Sequence, residues 1–501
     1  MLKSIVEGML LVLTWKGILA VAGGVCAGLI LGAIPGLTAA MAIALLVPLT
    51  FYTPIWISVP LLLGMLKGSF FGGSISAILI RTPGTPAASA TVLDGYPLAQ
   101  QGKSGKALKM ALYSSVFGDV FSDICLVLVA GMLARIALKF GPPEYTLLIA
   151  FSLLLIGGVS GKSISKGIIT AGIGLLVSCI GMDPLKGHSR LIFNSLELLD
   201  GIQLVPMLIG LLAVSEILLQ MSGPKTDMHE SIVPISENPE DNKVSWAEFC
   251  ACVPTLIKSS AIGTIIGALP GLGGTVAAFL SYGEAQRTSK NRSLFGKGAL
   301  EGIAAAESSN SAVCGANMIP LLAFGIPGDV TAAIILGAFL MQGITPGPLI
   351  FREVPVAIYA IYTGLLLGNI FNMLFGHLFL RITSYFVRIP KRILFPCVLA
   401  TAVAGSYGFR HSMFDVKTMI VFGIIGYVLS KLEYPLVPMI IAFILGPILE
   451  SSLRRTLLII KSEGSVLFLL QRPLFIVLSA VALFCFYFFY RQFSILREFQ
   501  D

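Results

Sequence analysis

Five ionisable side chains fall inside long apolar stretches, where a charge is costly and is usually retained for function: Lys67, Arg81, Asp119, Asp123 and Glu307. Asp119 and Asp123 are one helical turn apart within Ser115–Val127, so a helix there places both carboxylates on one face. Such a pair can hold a sodium ion or relay a proton; near a helix end it would instead cap the helix or face water. Asn369 and Asn372 hold the comparable place further along. Glu307, in Ala304–Asn310, can serve the same coupling role, whereas Lys67 and Arg81 can neutralise an anionic substrate or reach to the membrane interface.

Four Pro-Gly pairs punctuate the apolar stretches, at Pro35-Gly36, Pro83-Gly84, Pro270-Gly271 and Pro327-Gly328. Proline lacks an amide hydrogen and glycine adopts backbone angles that other residues avoid, so each pair should break a helix within the membrane. Exposed backbone at that depth must line a cavity or be covered by protein, and the N-terminus of a half-helix attracts anions. The breaks are therefore candidate anion cradles. Around them stand Thr38, Ser74, Ser76, Thr82, Thr85, Ser89 and Thr91 in the first half, and Thr275, Ser308, Ser309, Asn310, Asn317 and Thr331 in the second. The competing structural role is close helix packing, which small residues also permit.

The elements that position these groups occur twice. Gly32-Ala-Ile-Pro35-Gly36-Leu37 returns as Gly267-Ala-Leu-Pro270-Gly271-Leu272, and Arg81-Thr-Pro83-Gly84 is answered by Gly325-Ile-Pro327-Gly328. Gly118-Asp119-Val-Phe121 is answered by Gly368-Asn369-Ile-Phe371, and Leu204-Val-Pro206-Met207 recurs as Leu436-Val-Pro438-Met439. The offsets of 235, 244, 250 and 232 residues point to two related halves with loop insertions. The organisation expected is a first transmembrane repeat over 1–222, a polar acidic linker over 223–246, a second repeat over 247–453, and an extra C-terminal helix and tail over 454–501.

At 501 residues, 56% apolar and 12% charged, the chain reads as an all-α polytopic membrane protein with the lipid bilayer as its solvent. About 12 transmembrane helices are expected. The net charge of +8 comes from 34 Lys and Arg placed mostly in short connections, as in cytoplasmic loops, and does not point to nucleic acid. Eight cysteines and four histidines show no metal or disulfide spacing, so neither a metal nor another cofactor is implied. The N-terminal apolar run after Lys3 reads as the first membrane span. Basic connections face neutral or balanced twins: Glu284–Glu301 against Phe51–Ile57, and Asp94–Lys109 against Gln342–Val354. Two homologous repeats of opposite, inverted orientation would show this pattern, and Pro-Gly-broken helices in both halves match a secondary transporter.

Gly72-Gly73-Ser74-Ile75-Ser76, then Thr82-Pro83-Gly84-Thr85-Pro86 and Leu93-Asp94-Gly95-Tyr96-Pro97, together with Phe295-Gly296-Lys297-Gly298, Ala306-Glu307-Ser308-Ser309-Asn310 and Gly343-Ile344-Thr345-Pro346-Gly347-Pro348, carry a resemblance. With these stretches the chain resembles the large membrane subunit of the tripartite tricarboxylate transporters over nearly all of both repeats. The resemblance implies a multi-pass protein of the bacterial inner membrane. Its activity would be symport of a di- or tricarboxylate, driven by a sodium or proton gradient, with a small membrane subunit and a periplasmic substrate-binding protein as partners. Phe71 stands where that family usually has Tyr, and Arg81 where an uncharged Asn is common; an added cation there would favour a more highly charged acid. A passive anion channel and an intramembrane enzyme are the alternative classes. The first lacks the rings of charge expected of a pore, and the second lacks a nucleophile beside a base.

Overall fold

The computed structural model describes residues 2–159, 163–183, 186–222, 233, 234, 236, 238–383 and 391–483. Lys225, Asp227, Glu230 and Glu237 of the linker, and the part of the expected C-terminal helix beyond residue 483, lie outside the described residues. Among the described residues the regular elements are helices apart from one antiparallel pair of two-residue strands, β1 (Gly181–Met182) with β2 (Ser189–Arg190).

The first half contains α1 (Leu2–Val12), α2 (Trp15–Ala33), α3 (Ala39–Leu46), α4 (Ile55–Ile80), α5 (Ser89–Leu98), α6 (Ser104–Ala137), α7 (Pro142–Val159) and α8 (Ile164–Ser178). After the strand pair come α9 (Leu204–Ile209) and α10 (Ser215–Ser222), joined by one π-helical turn. The second half contains α11 (Trp246–Gly267), α12 (Gly273–Thr288), α13 (Leu300–Phe324), α14 (Val330–Met341), α15 (Ile350–Glu353) and α16 (Pro355–Phe379). It ends with α17 (Lys391–Arg410), α18 (Met413–Lys431) and α19 (Val437–Glu463), after which the expected extra helix appears as α20 (Pro473–Leu483).

Among the described residues, 8 helical segments are long and apolar enough to cross a membrane, which makes this a multi-pass membrane protein. Two differences from the sequence expectation have simple causes. The N-terminal run is not itself a span: α1 has 11 residues, about 16 Å of helix, before Thr14 caps a separate α2. Conversely α13 is 25 residues long but too polar along its length to register as apolar.

The chain divides into two compact units, residues 1–134 with 203–432, and residues 135–202 with 433–501. In the second unit α8 lies against α19, where a Cβ on Gly174 would come 2.2 Å from the Met439 carbonyl oxygen. The strand pair is tied to α19 by Arg190, 2.7 Å from Glu450, and by Arg454, 2.8 Å from Asp183.

The first unit holds every residue with candidate chemistry. Its densest seam joins α2 and α4 through glycines at four-residue spacing. A Cβ on Gly24, Gly28 or Gly32 would lie 2.2, 2.2 or 2.5 Å from the carbonyl oxygens of Leu61, Met65 and Ser69. Gly64, Gly68 and Gly72 of α4 answer by approaching Val21, Val25 and Leu29. Without side chains between them the two backbones touch, which is how membrane helices gain dispersion energy. In the second half α11 and α13 repeat the arrangement, with Gly263 against Ser309 and Gly267 against Val313 and Ala316.

The halves also exchange helices. Gly118 of α6 packs on Ser308 of α13, while Gly368 of α16 packs against Gly64 and Lys67 of α4. Each central helix, α4 or α13, thus receives the long helix of the other half. The basic connection Asp94–Lys109 is mostly helical, with a break at Gly102 (φ 82°). Asp94 is fully buried in α5, where its Oδ1 accepts the Gly298 and Ala299 amides at 2.9 Å each and its Oδ2 accepts the Tyr282 hydroxyl at 2.9 Å. A carboxylate at the start of α13 satisfies amides that have no intrahelical acceptor.

Candidate functional site

All four Pro-Gly pairs end one helix and open another. Gly36 and Gly271, partners in the duplication, both have φ 91°, a left-handed angle that few other residues reach without strain. Thr38 then caps α3 by accepting the Met41 amide, and Gly273 opens α12. At the second pair of breaks the terminal residues Arg81 (φ 57°) and Gly325 (φ 74°) are left-handed. Thr85 and Asp329 then cap the next helical turns, accepting the amides of Ala88 and Ala332.

The breaks meet. Gly84 donates its amide to the Gly73 carbonyl at 3.1 Å, and a Cβ on it would sit 2.2 Å from the carbonyl of Gly32, just before Pro35-Gly36. In the second half Gly271 donates to Gly328 at 2.7 Å, and Gly328 lies correspondingly over the Gly267 carbonyl. The two halves touch where Ala87, after Pro83-Gly84, faces Gly274 in the first turn of α12. Pro35 and Thr85 are buried, Thr38, Thr82, Pro83, Pro270 and Thr275 half-buried, and Pro327 and Gly328 buried.

Two carboxamides on α13 point into this meeting place. Asn310 Oδ1 is 2.5 Å from where Gly274 would carry a Cβ, and Asn317 Oδ1 is 2.6 Å from the same point on Gly328. They are seven residues apart and so share a helix face. Both are 1% exposed; neither carboxamide atom of Asn310 has a hydrogen-bond partner among the described residues, and Asn317 interacts only with the carboxylate of Asp329. Buried amides are normally satisfied, so the free carboxamide of Asn310 beside the start of α12 marks a place where a polar ligand can bind. Gln220 of α10 braces the first break by donating to the Gly36 carbonyl at 2.8 Å.

A second polar centre lies where α4, α6 and α16 meet. Lys67, thirteenth of the 26 residues of α4, is fully buried and reaches no interface. Its ammonium donates to Asp123 Oδ2 at 2.8 Å and Asn369 Oδ1 at 2.6 Å, and stands 3.5 Å from Asp119 Oδ1. Asn369 in turn donates to Asp123 Oδ2 at 2.7 Å. Asp119 and Asp123 are in mid-helix and buried, so they neither cap α6 nor face water. Both oxygens of Asp119, Oδ1 of Asp123 and both polar atoms of Asn372 have no hydrogen-bond partner among the described residues. Two carboxyl groups face one ammonium, so with both ionised one negative charge lacks a counter-charge in a buried site, an arrangement that invites a further cation, a proton included.

Glu307 forms a third centre. Its Oε1 accepts the Ser74 hydroxyl of α4 at 2.5 Å and the Thr91 hydroxyl of α5, and its Oε2 has no partner among the described residues. The residue is fully buried, and among the described residues no lysine or arginine pairs with it. Ser76 turns back onto the Gly73 carbonyl at 3.2 Å. Arg81, unlike Lys67, is exposed, with its guanidinium 5.9 Å from the Tyr96 ring centre. Lys67, Asp119, Asp123 and Asn369 therefore converge, Glu307 joins Ser74, and Asn310 joins the breaks, whereas Arg81 joins none of these groups.

One helix links the three centres. Glu307, Asn310 and Asn317 are all on α13, within about 15 Å of one another. The same helix touches α6 through a 2.5 Å Ser311–Ser115 hydroxyl contact and through Gly315, beside Asp123. The sequence shows Asn310 and Asn317 at helical spacing, but nothing in it marks Gln220 or the cap made by Asp94.

Comparison with known proteins gives the family of the chain. An uncharacterized 52.8 kDa protein in the TAR-I ttuC' 3' region of Agrobacterium vitis is 35% identical over 463 residues, 92% of this chain and 91% of that protein. An uncharacterized protein in the TAR-II ttuC' 3' region of the same organism is 38% identical over 223 residues, 44% of this chain and 91% of that protein. No solved structure matches the chain. The family described as tripartite tricarboxylate transporter TctA matches residues 18–441, which takes in both sets of Pro-Gly breaks and all three buried centres, and the chain belongs to that family.

Proposed function

We propose that this chain is the large membrane subunit of a binding-protein-dependent symporter that imports a di- or tricarboxylate against its gradient. The observation that carries the reading is the buried carboxamide of Asn310, unpartnered among the described residues, beside the start of α12 where the Pro-Gly breaks of the two halves touch through Ala87 and Gly274. Carboxylate oxygens accept from carboxamide N–H groups and from the uncapped amides at the start of α12, while substrate hydroxyls satisfy the carboxamide oxygens. Thr38, Thr85 and Thr275, with the Pro-Gly backbone, complete the cradle.

The coupling ion, sodium or a proton, binds at Asp119 and Asp123, and Glu307 is the second candidate. The uncompensated charge of the first centre supports this assignment. Among the described residues no cationic side chain bonds to the carboxamides of Asn310 and Asn317, so entry of a carboxylate is helped by entry of a cation nearby. The two repeats are inverted and cross the membrane about 12 times, shorter apolar helices such as Pro142–Gly158, Ile164–Ser178 and Arg392–Gly408 completing the count beyond the eight long ones. The exchange of α6 and α16 between the central helices supports two repeats packed about a common axis. A small membrane subunit and a periplasmic substrate-binding protein complete the system in a bacterial inner membrane.

The test is uptake of labelled succinate, malate and citrate into proteoliposomes holding the chain, the small subunit and the matching binding protein. Accumulation under an imposed sodium or proton gradient supports the symporter. Equilibration without accumulation contradicts it and favours a channel.

A further inference from the structure

Lys67 is turned toward the acids: its ammonium donates to Asp123 and Asn369 and lies 3.5 Å from Asp119 Oδ1. We infer that Lys67 is a built-in cation that takes one of the two counter-charges demanded by Asp119 and Asp123, and so sets the number of coupling ions carried per substrate at one fewer than the carboxylates alone would require. The inference rests on the reading that this centre binds the coupling ion.

Three observations carry it. The first is charge: two buried carboxylates face one ammonium, and the three carboxylate oxygens without a hydrogen bond among the described residues, both of Asp119 and Oδ1 of Asp123, leave ligands for one further cation. The second is the provision made for the lysine stem. A Cβ on Gly368 would come 3.3 Å from Lys67 Cδ, so the bare glycine leaves the stem its place and any side chain there would make it shift by a few tenths of an ångström.

The third comes from the duplication. At the offsets relating Arg81 to Gly325 and Asp119 to Asn369, Lys67 corresponds to Ser311, and Asp119 and Asp123 correspond to Asn369 and Met373. Ser311 contacts the hydroxyl of Ser115 instead of an acid. The lysine and both acids are thus present together in one half and absent together from the other. This is how charges behave when the ammonium belongs to the carboxylates and not to a shared substrate.

The experiment measures ions per substrate from the reversal of flux at set substrate and ion gradients. It uses the reconstituted three-component system and whichever of succinate, malate and citrate the wild type accumulates. Lys67→Met is expected to carry one more ion per substrate than wild type. The double variant Lys67→Met, Asp123→Asn removes one charge of each sign and is expected to return the wild-type number whatever its rate; it remains informative if the single variant fails to fold. An unchanged number in Lys67→Met, or one fewer ion in the double variant, overturns the inference while leaving symport intact. Flux in the wild type with no ion dependence overturns the symport reading and the inference together.

Discussion

Lys67 on α4 donates a 2.6 Å hydrogen bond to Asn369 on α16, which joins a helix of the first half of the chain to one of the second inside a buried, charged cluster. Removing the lysine leaves both carboxylates without a counter-charge. Lys67→Met should therefore cost about 3–5 kcal/mol of stability, and Lys67→Met with Asp123→Asn much less. Thermal unfolding of the detergent-solubilised protein checks this; equal melting temperatures for the two variants would contradict the charge balance.

Asn310→Ala and Asn317→Ala should each weaken substrate binding about tenfold, the order expected for losing hydrogen bonds to a charged group. Stability should change little in Asn310→Ala, whose carboxamide has no partner to lose among the described residues, and fall more in Asn317→Ala, which also loses the interaction with Asp329. Titration of the purified protein with succinate, malate and citrate separates the two effects. Wild-type affinity in both variants would move the cradle elsewhere.

Glu307→Gln keeps an oxygen to accept from Ser74 and Thr91 but removes the charge. If Glu307 contributes to cation binding, this variant should raise the ion concentration for half-maximal uptake about tenfold while melting near the wild-type temperature. Unaltered ion dependence would reduce Glu307 to a helix tie.

Glycines of the α2–α4 seam should differ sharply from a neighbour outside it. Gly28→Ala and Gly68→Ala place a methyl 2.2 and 2.3 Å from a backbone carbonyl oxygen, so the helices must separate at a cost of about 1–3 kcal/mol. Gly23→Ala meets nothing within 4 Å and should be neutral or slightly stabilising. Fluorescence size-exclusion profiles of the three variants would show the difference, and equal profiles would contradict the packing of the seam.

Much of this is legible in the residues. Pro35, Pro83, Pro270 and Pro327 announce breaks because proline and glycine act locally, and the duplication of their surroundings shows that the breaks belong together. Asp119, Asp123 and Glu307 stand out because charge is rare in apolar stretches. What the sequence hides is pairing across the chain. Nothing near Lys67 reveals that its partner is Asp123 and not a substrate, because the contact depends on α6 and α16 crossing between the repeats. Asp94 reads as part of a basic connection, yet it caps α13 some two hundred residues away. The polar residues that make α13 the common wall of the three centres are also what disguise it as something less than a span.

The most direct test of the coupling assignment is ion dependence of carboxylate uptake in proteoliposomes containing wild type or Asp119→Asn, with the small subunit and binding protein present. Asp119→Asn leaves Lys67 and Asp123 balanced, so uptake should lose its response to an imposed sodium or proton gradient while substrate still equilibrates. An Asp119→Asn protein that accumulates substrate with wild-type ion dependence would contradict the assignment of the coupling ion to this centre.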